Sequence, residues 1–260
     1  MKVGLTLSGG GARGFAHLGV LQALQEANIP VHVISGASAG SLAAAFHAYG
    51  YSPQETLSIF EKTNILKLIW PAFSTTGLLS IQKSELIYDK FLAEDSFAHA
   101  KIPLFVSTTN LNKGRPEIFN SGSLKLALMA SCCIPVIFDP VRIGEDDYVD
   151  GGILNNLPTE VLLQEGCDII IGVNVAPILP EKDLDGPKRM IERVSMLALS
   201  ANVEYSSRLC DLYLLPRELR RFGTFDFKKS QELFRIGYEY TKYELSMLEA
   251  SHKLKQFSAQ

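Results

Sequence analysis

The sequence predicts an α/β fold: a single domain over residues 1–260, built as three layers, α/β/α, around a mainly parallel central sheet. Two observations carry this. Strand–turn–helix occurs twice within the first fifty residues, which is how a parallel sheet begins. Further on, Asp168-Ile-Ile-Ile-Gly-Val-Asn-Val175 is a near-continuous apolar run, the pattern of a strand covered on both faces.

The first strand is Lys2 to Leu7, followed by the tight loop Ser8-Gly-Gly-Gly-Ala-Arg-Gly14. Phe15, Leu18, Leu21 and Leu24 recur at helical spacing, so Phe15 to Ala27 reads as an amphipathic helix. Ile29-Pro30 ends it, and Val31-His-Val-Ile34 is a short buried strand. A second sharp turn, Gly36-Ala-Ser-Ala-Gly40, leads into an Ala-rich helix, Ser41 to Tyr49, closed by Gly50. Helical patterns follow at Pro53 to Lys62 and at Gln82 to Leu92. Between them, Ile65 to Leu79 is apolar, is broken by Pro71 and Gly77, and lacks a clean period, so residues 52–100 read as a helical cap insertion. Sheet strands return at Leu104 to Thr108, Glu117 to Asn120 and Val141 to Ile143, with a helix at Leu124 to Cys132. Gly144 to Asp147 is a turn, and Tyr148-Val149 leads into Asp150-Gly-Gly152. Leu212 to Leu215 is the final strand, and residues 228–260 form a mostly helical C-terminal segment.

Composition excludes several roles. The chain has 260 residues, 47% apolar and 20% charged, which suits a packed core and carries no disorder signature. Its net charge is −3, without the basic excess of a duplex-binding domain, so no nucleic-acid partner is expected. The longest nearly apolar run, Leu126 to Phe138, is too short for a bilayer span, which needs about 20 residues. Val3 to Leu7 is shorter than the roughly 7–15-residue core of a signal peptide. Four cysteines, two of them adjacent and none in C-x-x-C spacing, read as reduced core thiols. A cytoplasmic protein is expected, with peripheral contact at a membrane surface.

Gly36-Ala-Ser38-Ala-Gly40 fits G-x-S-x-G after a β-branched strand and before a helix, the context of a nucleophile elbow. Ser38 then sits at a helix N-terminus, where free N–H groups favour developing negative charge. The bland alternative is an ordinary glycine turn. Gly9, Gly11 and Gly14 fit G-x-G-x-x-G, yet the next strand ends in Ile34-Ser35, without the acidic residue that a dinucleotide site wants. No Gly-Lys-Ser/Thr follows, so it is not a nucleotide P-loop. The remaining reading is a loop whose backbone N–H groups form an oxyanion hole beside Ser38. A triad in the chain order Ser, acid, His needs a histidine beyond the acid, and past Asp150 there is only His252, in a polar helix. Asp150, at a strand end with Gly151 and Gly152 behind it, offers an alternative base.

Four segments in order resemble the patatin-like phospholipase family. Ser8 to Gly14 resembles its oxyanion loop, and Gly36 to Gly40 its elbow. Ala130-Ser-Cys-Cys-Ile-Pro-Val-Ile-Phe-Asp-Pro140 resembles its Ala-Ser, Ile-Pro and Phe-x-Pro block. Asp150-Gly-Gly-Ile-Leu-Asn-Asn-Leu-Pro158 resembles its Asp-Gly-Gly box and following Asn-x-Pro. The resemblance implies a compact patatin-like fold and a serine acyl-ester hydrolase of phospholipase A, lysophospholipase or esterase type. It implies Ser38 as nucleophile and Asp150 as base, with no histidine. The oxyanion hole falls to backbone N–H groups of Gly10 and Gly11, with Ala12 and Arg13 as further candidates, and neither cofactor nor metal is implied. The expected partner is a lipid or ester substrate. Trp70, Phe73, Leu78 and Leu79 are the cap's candidates for holding an acyl chain and touching a membrane. Two rivals use the same residues differently: an acyltransferase on this scaffold, and a non-enzymatic nucleotide- or lipid-binding regulator. Arg217, Arg220, Arg221, Lys228 and Lys229 admit a lipid-phosphate role beside the blander solvated face.

Overall fold

A computed structural model of the chain describes residues 1–63, 85–92, 94–135, 138–178, 186, 190, 193, 194, 197 and 200–250. The order opens β1 (Val3–Leu7), α1 (Phe15–Glu26), β2 (Val33–Ala37), α2 (Ala39–Ala48), α3 (Pro53–Thr63) and α4 (Glu85–Phe91). It continues β3 (Leu104–Asn110), β4 (Arg115–Phe119), α5 (Leu124–Ser131), β5 (Val141–Ile143), β6 (Asp146–Asp150), α6 (Gly152–Asn155) and α7 (Glu160–Gln164). It closes with β7 (Ile169–Val173), α8 (Val203–Ser207), β8 (Leu212–Leu214) and α9 (Ser230–Ala250).

The strands form one eight-stranded sheet in the order β5-β6-β3-β2-β1-β7-β8, with β4 paired to β3 outside that path. The pairs β3–β2, β2–β1, β1–β7 and β7–β8 are parallel. The antiparallel part gathers around β3, which pairs with β4 and β6, while β6 pairs with β5. Alternation along the strands divides two cores. Ile169, Ile171 and Val173 join Leu5, Leu7 and Ile34 in a large cluster with residues of α1, α2, α5 and α9. Ile170, Val33 and Phe105 face the other way, against Val161 and Leu162 of α7. This is the three-layer arrangement expected.

Three expectations change. β2 does not stop at Ile34: it continues through Ser35 and Gly36 to Ala37, opposite Thr6, Leu7 and Ser107. Ladder pairing, rather than hydrophobicity, extends it. Residues 144–147 are more than a turn: Gly144 sits at φ +62 between two strands, and Asp146 and Asp147 already belong to β6. Finally, α1 is buried nearly all round rather than on one face, because α9 lies across its outer side. A side chain at Gly19 would run into the Phe234 carbonyl of α9, and one at Gly237 into the Ala16 carbonyl of α1, so the two helices cross almost backbone to backbone.

The two ends of the expected cap insertion belong to the main core: Leu57, Phe60, Tyr88 and Leu92 are buried in it. Phe60 packs against Phe46 and Phe15 at ring separations of 5.0 and 6.3 Å. Residues 64–84 lie outside the described residues, and with them Trp70, Phe73, Leu78 and Leu79.

Candidate functional site

The site arises where two strands end against a third. Along one edge of β3, β2 pairs with the first half as far as Ala37↔Ser107, and β6 pairs with the second half from Thr108↔Asp150. β4 occupies the opposite edge over Val106 to Asn110, which forces β2 and β6 onto the same side. One runs parallel to β3 and the other antiparallel, so their carboxyl ends meet head-on. Ser38 is the residue after the end of β2, and Asp150 is the last residue of β6.

Their side chains touch: Ser38 Oγ donates to Asp150 Oδ2 at 2.7 Å. The other carboxylate oxygen, Oδ1, accepts the Gly152 N–H at 2.8 Å. Asp150 is buried, and burial raises its carboxyl from the usual 3.8 to about 6, against the lowering effect of the hydrogen bonds from Ser38 and Gly152. Ser38 is itself largely buried, at 8% exposed. It sits at φ +51, ψ −127, a conformation that costs a non-glycine residue about 1–3 kcal/mol and persists only when its surroundings fix it. They do so from two elements. Ser38 N–H donates to Ser131 Oγ at 2.8 Å, Ser131 Oγ in turn donates to the Ser107 carbonyl at 2.7 Å, and Ser41 Oγ donates to the Ser38 carbonyl at 2.6 Å. The flanking glycines provide room. A Cβ at Gly36 would stand 2.6 Å from the Gly40 backbone, and one at Gly40 would collide with the Leu7 carbonyl of β1. A side chain at Gly151 would likewise strike the Ser107 carbonyl.

The glycine loop leaves the end of β1, beside β2, and approaches Ser38 with its backbone. A Cβ at Gly9 would lie 2.9 Å from Ser38 Cβ, and one at Gly14 2.5 Å from Ala39 Cβ. Gly11 holds φ +58, with the Thr224 carbonyl where a side chain would project. The amides divide into two sets. Gly9 N–H donates to Asn156 Oδ1 at 2.9 Å, Ala12 N–H to the Thr224 carbonyl at 2.8 Å, and Arg13 N–H to the Gly10 carbonyl at 3.3 Å. The amides of Gly10 and Gly11 meet no hydrogen-bond partner among the described residues. Ala12 and Arg13, expected as further donors, therefore have their N–H groups engaged inside the fold.

Several supports carried no assigned role in the sequence. Ser131 and Asn156 stood in recognised blocks without one. Asn156 accepts from Gly9, while its own N–H donates to Asn202 Oδ1 at 2.8 Å, and Asn202 Nδ2 reaches the carbonyls of Gly152 and Ile153 at 3.3 and 3.4 Å. Asn202 thus ties the Asp-Gly-Gly turn to the glycine loop through Asn156. Nothing in the local sequence marked Asn202 or Thr224, because their roles come from distant contacts. Ser8 Oγ accepts the Val175 N–H at 3.0 Å and fixes the root of the loop to the end of β7.

Among the described residues no histidine hydrogen-bonds Ser38. His17 is fully buried and donates from Nε2 to the Ser8 carbonyl at 2.7 Å, and burial lowers its pKa to about 4. His47 lies at the far end of α2, and His252 is outside the described residues. All four cysteines are free. Burial pushes the Cys133 thiol to about 12 and that of Cys132 higher still, so both are protonated core thiols. Among the described residues no helix is long and apolar enough to cross a membrane.

Comparison with known proteins gives this geometry its context. The chain is similar to lysophospholipase nte1 of Aspergillus fumigatus, at 28% identity over 97% of this chain and 19% of the relative. It is 29% identical to lysophospholipase NTE1 of Coccidioides immitis, over 95% of this chain and 18% of the relative. The chain therefore spans about a fifth of the length of the curated relatives it matches. Among solved structures, VipD from Legionella pneumophila superposes with a TM-score of 0.56 at 17% identity, over 90% of this chain and 66% of that one, a shared fold. The sequence profile for patatin-like phospholipase matches residues 5–163, a stretch that holds the glycine loop, the Ser38 turn and Asp150. By that match over more than half of its length, the chain belongs to the patatin-like phospholipase family, a family of lipid ester hydrolases.

Proposed function

We propose that the chain hydrolyses lipid acyl esters through a Ser38–Asp150 dyad. The observation that carries this reading is the 2.7 Å hydrogen bond from Ser38 Oγ to a buried carboxylate, made by a serine held at φ +51 on a strand-to-helix turn. As Oγ attacks the ester carbonyl, its proton passes to Asp150 Oδ2 and the carbonyl oxygen becomes an oxyanion. The Gly10 and Gly11 amides are the donors proposed for that oxyanion, because both are uncommitted and follow directly on Gly9, which lies against Ser38. Collapse of the tetrahedral intermediate expels the alcohol, which takes the proton from Asp150, and leaves an acyl-Ser38 ester. Water then attacks that ester as Asp150 accepts its proton, and the fatty acid departs when Ser38 Oγ recovers the proton. The relatives named lysophospholipase support a single-chain phospholipid as the first substrate to try.

Asp150 works as a base only when ionised, and its pKa near 6 places the acid limb of the free enzyme there. Activity toward a soluble p-nitrophenyl ester should fall tenfold per pH unit below about 6. Wild-type protein should react with a fluorophosphonate probe, and Ser38→Ala should neither react nor turn over ester while melting as wild type does. Ester turnover by folded Ser38→Ala at the wild-type rate would overturn the proposal.

A further inference from the structure

One surface segment beside this site has a composition unlike the rest of the chain. β8 runs parallel to β7, and β7 parallel to β1, so residues 217–229 begin at the same end of the sheet as Ser8 and Ser38. They hold Arg217, Arg220, Arg221, Lys228 and Lys229 against Glu218 and Asp226, a local net +3 in a chain of net −3. Leu219 and Phe222 are buried, which turns the arginines around them outward. Between the two basic stretches Phe225 is 40% exposed, with its ring 6.4 Å from that of Phe227.

Many surface charges elsewhere are paired within the described residues. Lys125 pairs with Asp89, Arg142 with Asp147 and Arg208 with Glu204. In the segment, Glu218 lies 3.7 Å from Arg221, Glu232 lies 3.4 Å from Lys229, and the Asp226 carboxylate is turned back onto the Gly223 N–H at 2.6 Å. Arg217, Arg220 and Lys228 have no ion-pair partner among the described residues. The segment is also fastened to the site, since the Thr224 carbonyl accepts the Ala12 N–H at 2.8 Å.

We propose that residues 217–229 form a docking surface for anionic phospholipid bilayers. Arg217, Arg220 and Lys228 meet lipid phosphates, and Phe225 enters the boundary between headgroups and acyl chains. Unpaired cations around an exposed aromatic ring are the chemistry that an anionic interface recognises. Docking there brings to the bilayer the end of the sheet that carries the glycine loop and Ser38. Its purpose rests on the hydrolase reading, but the binding itself does not.

The test uses full-length Ser38→Ala protein, so the vesicles stay intact, and sediments it with phosphatidylcholine vesicles with and without one-third phosphatidylglycerol. Partitioning should favour the anionic vesicles and weaken with salt. Each basic side chain near such a surface contributes about fivefold, so replacing Arg217, Arg220 and Lys228 together by Ser should lower the partition coefficient roughly a hundredfold. Phe225→Trp should give a blue-shifted emission on anionic vesicles, read against the same protein without that substitution. Ester hydrolysis by wild-type protein, measured separately in solution, tells failure of the dyad from failure of docking. Undiminished binding by the folded triple variant, equal binding to both kinds of vesicle, or binding to heparin without binding to vesicles would each overturn the proposal.

Discussion

The Ser38 turn and the glycine loop are neighbours built on opposite plans. Both leave the carboxyl ends of adjacent parallel strands, and both enter a helix. At Ser38 the group proposed to react is a side chain, and the backbone is committed: its N–H goes to Ser131 and its carbonyl receives Ser41. In the loop the groups proposed to act are backbone amides, so side chains and carbonyls from elsewhere do the fixing, through Asn156 on Gly9, His17 on the Ser8 carbonyl and Thr224 on Ala12. On the proposed mechanism a nucleophile is thus aimed by spending main-chain hydrogen bonds, and an anion site is kept open by sparing them.

That difference orders the expected effects on turnover. The largest belongs to the side-chain half. Asp150→Asn keeps an acceptor for Gly152 but cannot take the Ser38 proton, so ester turnover should fall by about 10⁴ or more. Relief of a buried, destabilised carboxylate should leave the variant at least as heat-stable as wild type at pH 8. A folded Asp150→Asn protein with more than a hundredth of wild-type activity would break the side-chain plan. The next effect falls on the backbone half. Gly11→Val puts a branched side chain at φ +58 against the Thr224 carbonyl and must shift the loop. Loss of one oxyanion donor costs about 10²–10³ in rate. The Ser38–Asp150 contact is untouched, so fluorophosphonate labelling should survive while turnover drops. Unchanged turnover would remove Gly10 and Gly11 from the proposed mechanism.

The same contrast explains what could be read from the sequence. The elbow and the loop were legible because both depend on local steric demands: glycine where another backbone passes, a small residue where a turn closes. Asp150 was legible from its strand end and its two glycines. The head-on meeting of β2 and β6 was not, because it needs the register of β3 with three partners, and register is a property of pairs. Asn202 and Thr224 were invisible for a related reason: each acts through one hydrogen-bonding group on a residue far away in the chain. The all-round burial of α1 was hidden because its outer face is covered by a helix more than two hundred residues later.

A middling effect should come from the tie between the halves. Asn156→Ala removes the acceptor for Gly9 N–H and leaves that donor without its partner, which costs about 1–3 kcal/mol in loop stability. Turnover should fall roughly tenfold with little change in KM, because the ester is bound as before and only the transition-state geometry is loosened. Asn156→Asp retains an acceptor for Gly9 and should recover part of the loss. Equal melting temperatures and equal rates for Asn156→Ala and wild type would show that the loop is held without Asn156.

The smallest effect on turnover belongs to His17, and its readout is stability. Its Nε2–H bond to the Ser8 carbonyl is one neutral hydrogen bond, and Gln offers a comparable donor, so His17→Gln should change turnover by less than about threefold. The pH dependence is where the residue shows. Burial lowers its pKa from 6.5 to about 4, so between those values the unfolded chain binds a proton that the folded chain refuses. Stability from this residue is complete above pH 6.5 and is lost as pH falls toward 4, by up to about 3 kcal/mol. Asp150 runs the other way. Its folded pKa near 6 lies above its ordinary 3.8, so its folded state gains relative stability as pH falls through the same window. In wild type the two largely offset each other. His17→Gln removes one of them, and its melting temperature should rise relative to wild type by roughly 5–10 °C between pH 6.5 and pH 4. Asp150→Asn, which removes the other, should drift in the opposite direction. A constant difference between His17→Gln and wild type across that window would mean that His17 is not kept neutral by the fold, and that its bond to Ser8 is not what holds the root of the loop.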